Sequence, residues 1–200
     1  MKKHLLIFGV LMLFIVGPAS AALIDFEAQG PGPSLFGDPA QVVNVTAEGV
    51  DVTFTGGLIM TAVTNLPVDQ TTVYGTAFLP PGVYQPILGV NFSSPVSDVS
   101  FFLMNGLTSD VTYTARDGLG DLVTVTLAPN FLQGAQTITF NGNIGNFLIV
   151  YDGFTAWDYF IDDVRFTNLN YAAVPEPGTL TLLGSGLIGL WFVGRKIVKN

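Results

Sequence analysis

Val111-Thr112-Tyr113-Thr114-Ala115-Arg116 alternates polar and apolar side chains, Asp117-Gly118-Leu119-Gly120 follows, and Val123-Thr124-Val125-Thr126-Leu127 alternates again. Successive side chains of a strand point to opposite faces, so a period of two over four to six residues marks a half-buried antiparallel strand. The Asp-Gly and Gly residues between the two runs supply a turn. This hairpin sets the fold class, because the same period recurs on both sides of it. Val50-Asp51-Val52-Thr53-Phe54-Thr55 and Thr137-Ile138-Thr139-Phe140 alternate in the same way. Further strands are expected at Leu23 to Glu27, Leu58 to Val63, Ile87 to Phe92, Val99 to Met104, Phe147 to Tyr151 and Tyr159 to Phe166. Asn141-Gly142 is the strongest short hairpin signal available and is expected to turn the chain after Phe140. No segment sustains a helical period. About ten strands in roughly 150 residues predict one all-β domain over residues 22–172, with two packed sheets in a jelly-roll-like β-sandwich. Gly30-Pro31-Gly32-Pro33-Ser34 reads as a loop, since neither Pro nor Gly sustains a ladder there.

The chain of 200 residues has room for a single well-buried core. Its net charge of −8 hides a sharper segregation. All fifteen acids lie between Asp25 and Glu176, where only Arg116 and Arg165 oppose them. Such a surface repels phosphate backbones, so no nucleic-acid partner is expected, whereas cations and neutral polymers suit it. Cysteine is absent, and the only histidine is His4. With His4 in a segment expected to be removed, the mature protein carries neither residue. That excludes Ser/His/Asp and Cys/His nucleophilic machinery and the usual nitrogen and sulfur ligands of zinc.

Both ends read as targeting segments. Lys2 and Lys3 precede an apolar run from Leu5 to Val16, Gly17-Pro18 breaks it, and Ala19-Ser20-Ala21 offers the small residues a signal peptidase admits. Residues 1–21 are therefore expected to be a signal peptide cut after Ala21. Twelve apolar residues cover only about 18 Å as a helix, too short for a ~30 Å hydrocarbon core. The other end reads Val174-Pro175-Glu176-Pro177-Gly178, then a mostly apolar stretch, then Arg195, Lys196 and Lys199. A helix over about 178–198 spans roughly 31 Å if Arg195 and Lys196 snorkel toward the headgroups. Basic residues after the run and only acids before it place the C-terminus in the cytoplasm and the domain outside.

These tail residues resemble the PEP-CTERM sorting signal of Gram-negative bacteria that make extracellular polysaccharide. The resemblance implies that residues 173–200 are a sorting tail handled by a membrane-embedded exosortase. Pro175, Glu176 and Pro177 would be the recognition triplet, and Arg195 with Lys196 the cytoplasmic stop. The family usually ends in an arginine cluster, where this chain has one Arg and two Lys. The same tail is also labelled an ice-binding-protein C-terminal domain, a label that does not make its carriers ice binders. The implied localisation is inner-membrane anchoring, at least transient, then the cell surface or the extracellular biofilm matrix. Ile24-Asp25-Phe26-Glu27 and Phe160-Ile161-Asp162-Asp163-Val164-Arg165-Phe166 also resemble the first and last strands of many PEP-CTERM passenger domains.

Within the domain, Asp162 on a regular strand shares a face with Phe160, Val164 and Phe166 and so points inward. An unpaired buried carboxylate costs several kcal/mol, so it calls for backbone donors, a cation, or a bulge that turns it outward. Calcium takes oxygen ligands alone, and Glu27 or Asp25 on a neighbouring terminal strand can add to Asp162. Asp162 and Asp163 are no catalytic dyad, since successive strand residues face opposite ways. Tyr151, Phe154, Trp157 and Tyr159 cluster around Asp152 and Asp158, which is what a glycan-binding platform needs, and also what a core would hold. Thr-x-Thr at 53/55, 112/114, 124/126 and 137/139 shows no constant spacing of the kind an ice-binding array requires. The expected function is that of a non-enzymatic surface or matrix protein that associates with extracellular polysaccharide or serves a structural role, without a cofactor apart from structural calcium. The alternative is an enzyme acting on that polymer through carboxylates alone.

Overall fold

The computed structural model describes residues 21–29, 40–61, 72–76, 87–132, 134–152, 159–170 and 184–187. Among the described residues there are nine strands: β1 (Ala21–Ile24), β2 (Gln41–Ala47), β3 (Val50–Thr61), β4 (Thr72–Thr76), β5 (Ile87–Asn105), β6 (Val111–Asp117), β7 (Leu122–Leu127), β8 (Ala135–Asp152) and β9 (Tyr159–Asn168). All pairings are antiparallel and join the strands into one sheet, in the order β1-β9-β4-β3-β5-β8-β6-β7 with β2 beside β3. Ser20–Tyr171 form one compact unit. The expected all-β class holds. Outside this unit, residues 184–187 form a helical turn. Among the described residues no helix is long and apolar enough to cross a membrane. Of the expected signal peptide at 1–21, all but Ala21, which opens β1, lies outside the described residues, as does most of the span at about 178–198.

The single sheet arises because three strands are long and bend. β5 pairs through Gly89–Phe92 with β3, and from Val96 onward with β9. Its other edge follows β8 throughout, with register shifts between Asn91 and Val99. Ser93-Ser94-Pro95 lies at this bend, and Pro95 has no N–H to give a ladder. β3 bends at Gly56, whose φ of 85° only glycine adopts cheaply; a Cβ there would run into the Ile87 carbonyl. Before the bend β3 pairs with β2 and β5, and after it with β4. Since β4 and β5 each also pair with β9, strands β3, β4, β9 and β5 close a ring of ladders.

Several sequence expectations change here. Of the strand expected at Leu58 to Val63, Leu58 to Thr61 continue β3 and the last two residues lie outside the described ones, and Ile87 to Phe92 is continuous with Val99 to Met104 in β5. Asn141-Gly142 makes no hairpin. It lies inside β8, where Gly142 takes φ 75° and donates its N–H to Asp98 Oδ1 at 2.9 Å across a bulge in β5. An Asn-Gly pair supplies a left-handed residue, and β8 uses it to follow the bend of its neighbour. The hairpin at Asp117 forms as expected, with Asp117 accepting the N–H groups of Leu119, Gly120 and Asp121 on Oδ1. β2 and β4, unrecognised in the sequence, complete the sheet.

One large core cluster draws on both arms of the bent strands, including Val52, Phe54, Leu88, Val90, Tyr113 and Val150 with Val99, Phe101, Ile138, Ile161, Val164 and Phe166. A smaller cluster of Leu58, Met60, Val73, Met104 and Phe160 lies apart from it. The buried Tyr159, Asn105 and Tyr74 are partnered, whereas Asp117 Oδ2 and Asp162 Oδ2 are buried without a hydrogen-bond partner among the described residues. Tyr159 donates to the Val150 carbonyl at 2.7 Å and accepts from Leu88 N–H at 3.2 Å. Asn105 accepts from Tyr113 Oη and donates to the Ser109 and Ala128 carbonyls, tying the β5 end to the β6–β7 hairpin. Tyr74 donates to the Gln41 carbonyl and accepts from Gly57 N–H, and burial pushes its phenol far above the ordinary range.

Candidate functional site

The first and last strands of the domain lie side by side, Ile24 opposite Val164 and Leu23 opposite Arg165. This brings Asp25, Glu27 and Asp162 into one neighbourhood, as the terminal-strand reading anticipates. β1 ends earlier than expected, at Ile24. Phe26 is buried against Phe54 at 4.8 Å and Tyr74 at 5.7 Å between ring centroids, and takes φ 57°. A left-handed phenylalanine costs about 1 kcal/mol or more, and burial of its ring holds it there. The strand therefore stops, and Glu27 opens a single 3-10 turn, Glu27–Gln29. From it Glu27 reaches the start of β4, accepting Thr72 N–H on Oε1 at 3.0 Å and the Thr72 hydroxyl on Oε2 at 3.3 Å.

Asp162 is completely enclosed, but not for the reason parity suggests. β5 residues Ser100 and Phe102 pair with Arg165 and Asp162, so β9 spends one extra residue at this point. Asp163 is at φ 49°, and the strand is bulged. The bulge reverses the faces on either side: Phe160 belongs to the smaller cluster, whereas Val164 and Phe166 belong to the large core with Ile161. Asp162 thus keeps company with Phe160 and its cross-strand neighbour Phe102, and not with Val164 and Phe166 as expected. Its Oδ1 accepts the N–H of Asp163 at 2.7 Å. Its Oδ2 is buried and has no hydrogen-bond partner.

Desolvation by burial pushes the Asp162 carboxyl from 3.8 up to about 8; the Asp163 N–H opposes this, while the charges of Asp163, Glu27 and Asp25 add to it. Among the described residues the charges acting on it are all negative, and Arg165 is directed to Asp163 at 3.7 Å. Among the described residues no three acidic side chains converge on one point. A carboxyl protonated near neutrality is what a general acid requires, but Asp162 has no exposed surface through which to meet a sugar.

Of the four glycan-platform aromatics, Tyr151 and Tyr159 are described. Tyr159 is fully buried in the core, its ring 5.1 Å from that of Tyr113, and it is no part of an exposed platform. Tyr151 is half-buried on β8, opposite Ile87 and Thr114. Phe154 and Trp157 lie outside the described residues, as do Pro175, Glu176, Pro177, Arg195 and Lys196. The threonine pairs of β6 and β7 do come into register, Thr112 opposite Thr126 and Thr114 opposite Thr124, with the first two hydroxyls 2.8 Å apart. An antiparallel hairpin pairs residues at unequal separations, so constant spacing is the wrong sign to seek. These hydroxyls bond each other, and the array is two ranks deep.

The fold and its tail together define a β-rich passenger domain followed by a C-terminal address. Residues 173–196 match the family model of the PEP-CTERM protein-sorting motif. The chain carries this sorting motif and is exported through the exosortase pathway. No curated protein matches the chain.

Proposed function

We propose that this chain is a surface or matrix protein whose sorting tail delivers a non-enzymatic β domain that associates with extracellular polysaccharide. The observation that carries this reading is the sorting motif at residues 173–196. A signal peptide ending at Ala21 and a membrane helix at about 178–198 complete the route, with signal peptidase and exosortase as processing partners. The ring of ladders joining β3, β4, β9 and β5 supports a jelly-roll-like sandwich as the delivered module. Tyr151 is half-buried near the end of β8, and Phe154 and Trp157 follow it in the sequence. Flat apolar rings beside acceptors suit sugar faces.

The full chain, solubilised in detergent, tests the reading. Retention on the host's own polysaccharide, weakened at least tenfold by Trp157→Ala with no release of reducing ends, is expected. Hydrolysis abolished by a single Asp→Asn change reverses the ranking in favour of an enzyme working through carboxylates alone. Mass spectrometry of the exported protein, finding a new N-terminus at Ala22 and a C-terminus short of Arg195, tests the processing route independently.

A further inference from the structure

We propose, resting on the polysaccharide reading above, that an uncharged polysaccharide chain lies on the outward face of the sheet around Phe147, Ile149 and Tyr151 of β8. An antiparallel sheet with one solvated face alternates apolar inside and polar outside. β6 obeys this rule, with Tyr113 and Ala115 buried and Thr112, Thr114 and Arg116 on the other side. β8 breaks it. Phe147-Leu148-Ile149-Val150-Tyr151 is apolar throughout. Leu148 and Val150 are buried in the core, and the other three stand half-buried on the opposite face. A strand that is apolar on both sides belongs in a sheet covered on both sides, and an apolar file rimmed by polar residues marks a surface that meets a ligand.

The neighbouring strands decide which ligand. Residues directly opposite each other in an antiparallel ladder share a face. Tyr151 stands between Thr114 of β6 and Ile87 of β5, which is 48% exposed. Ile149 stands between Arg116 and Gly89, and Phe147 beside Asn91. The Phe147 ring lies against the backbone of Gly118, where a Cβ would come within 3.2 Å of it, so the ring is held in place. Among the described residues the side chains of Arg116, Asn91 and Tyr151 make no hydrogen bond or ion pair. Apolar surface and unspent polar groups therefore alternate across three strands. A sugar chain has the complementary pattern, since its C–H faces pack on rings and branched side chains while its hydroxyls need donors and acceptors at every ring. A protein partner calls for the other grouping, an apolar centre inside a polar rim. Charge narrows the ligand further. The chain has fifteen acids, and none is among these residues. An anionic polymer would have to approach past the acidic remainder of the domain, a repulsion that an uncharged one does not meet. From Phe147 to Tyr151 the strand covers about 13 Å, more than one sugar ring, and small-molecule sites are concave where this one is a sheet face. A polymer fits it, and a free monosaccharide does not.

The test uses the full chain in detergent and the host's extracellular polysaccharide, split on an anion exchanger into an unretained, uncharged fraction and a retained, acidic one. Wild-type protein is expected to bind the uncharged fraction. Tyr151→Ala, Ile149→Thr and Arg116→Gln should each weaken that binding about tenfold. Thr139→Ala, at an exposed position nearer the start of β8, should leave it unchanged. Arg116 is exposed, so its variant keeps the fold should the half-buried ones lose it. Wild-type binding that survives every folded face variant excludes this surface and leaves the polysaccharide reading standing, whereas protein that binds neither fraction overturns both. Binding confined to the acidic fraction overturns the uncharged ligand. Sedimentation of the same variants tests the other occupant: a wild-type dimer that Ile149→Thr splits, with glycan binding unchanged, gives the face to a second copy and overturns the proposal.

Discussion

Replacing Asp162 by Asn in calcium-free buffer should change how stability depends on pH, and by an amount the structure sets. Asparagine keeps the shape of the side chain and cannot ionise. The wild-type carboxyl is raised from 3.8 to about 8 in the folded domain, mainly by desolvation. Between those values the folded state holds a proton that the unfolded chain has released, so stability is full below pH 3.8 and falls as pH rises toward 8. One pKa unit is worth about 1.36 kcal/mol, which puts a ceiling of about 6 kcal/mol on the whole window and about 4 kcal/mol on the interval from pH 5 to 8. Water entering on ionisation brings the measured loss down to a few kcal/mol, a fall in melting temperature of roughly 5–10 °C. The assay is thermal unfolding of both proteins in EDTA at pH 5, 6, 7 and 8. General repulsion among the surface acids lowers both curves alike, so the difference between them isolates Asp162. Parallel curves, with the Asn variant losing as much as the wild type, would refute the reasoning.

Two further substitutions probe the scaffold. Asn105→Ala removes the partner of Tyr113 Oη and of the Ser109 and Ala128 carbonyls; a loss of about 2–4 kcal/mol in urea unfolding is expected, and less than 1 would show the network to be dispensable. Gly75→Ala places a methyl against Met60 Cε and the Phe160 ring, so about 1–3 kcal/mol should be lost, and Met60→Ala in the same chain should recover part of it.

How much of this was legible in the sequence depends on the range of the interaction. The Asp117–Gly120 turn is local, and its sign was read correctly because a short loop between two alternating runs leaves the chain one way to go. Asn141-Gly142 carries an equally strong local sign, yet there the neighbouring strand decides: β5 bends at Ser93–Pro95, and β8 spends its left-handed glycine on following it. Fusion of the expected short strands into β3, β5 and β8 has the same origin, since nothing in Gly56-Gly57 distinguishes a bend from a break. Burial of Asp162 was legible, but its companions were not, because one extra residue at Asp163 reverses every side chain beyond it. Its nearness to Glu27 was accessible only through the idea that the terminal strands pair. Thr72, the residue that holds Glu27, offers no sequence sign at all.

The pairing of β1 with β9 has a kinetic side. Ala22 meets Phe166 across nearly the whole length of the domain. Contacts so distant along the chain form late and slow the search for the native state. β9 also borders β4 and β5, so the ring of ladders lacks a member until Tyr159–Asn168 have emerged. A chain crossing a membrane from its N-terminus thus cannot complete its fold halfway. It stays threadable until the segment just before the sorting tail is through, and folding and delivery finish together.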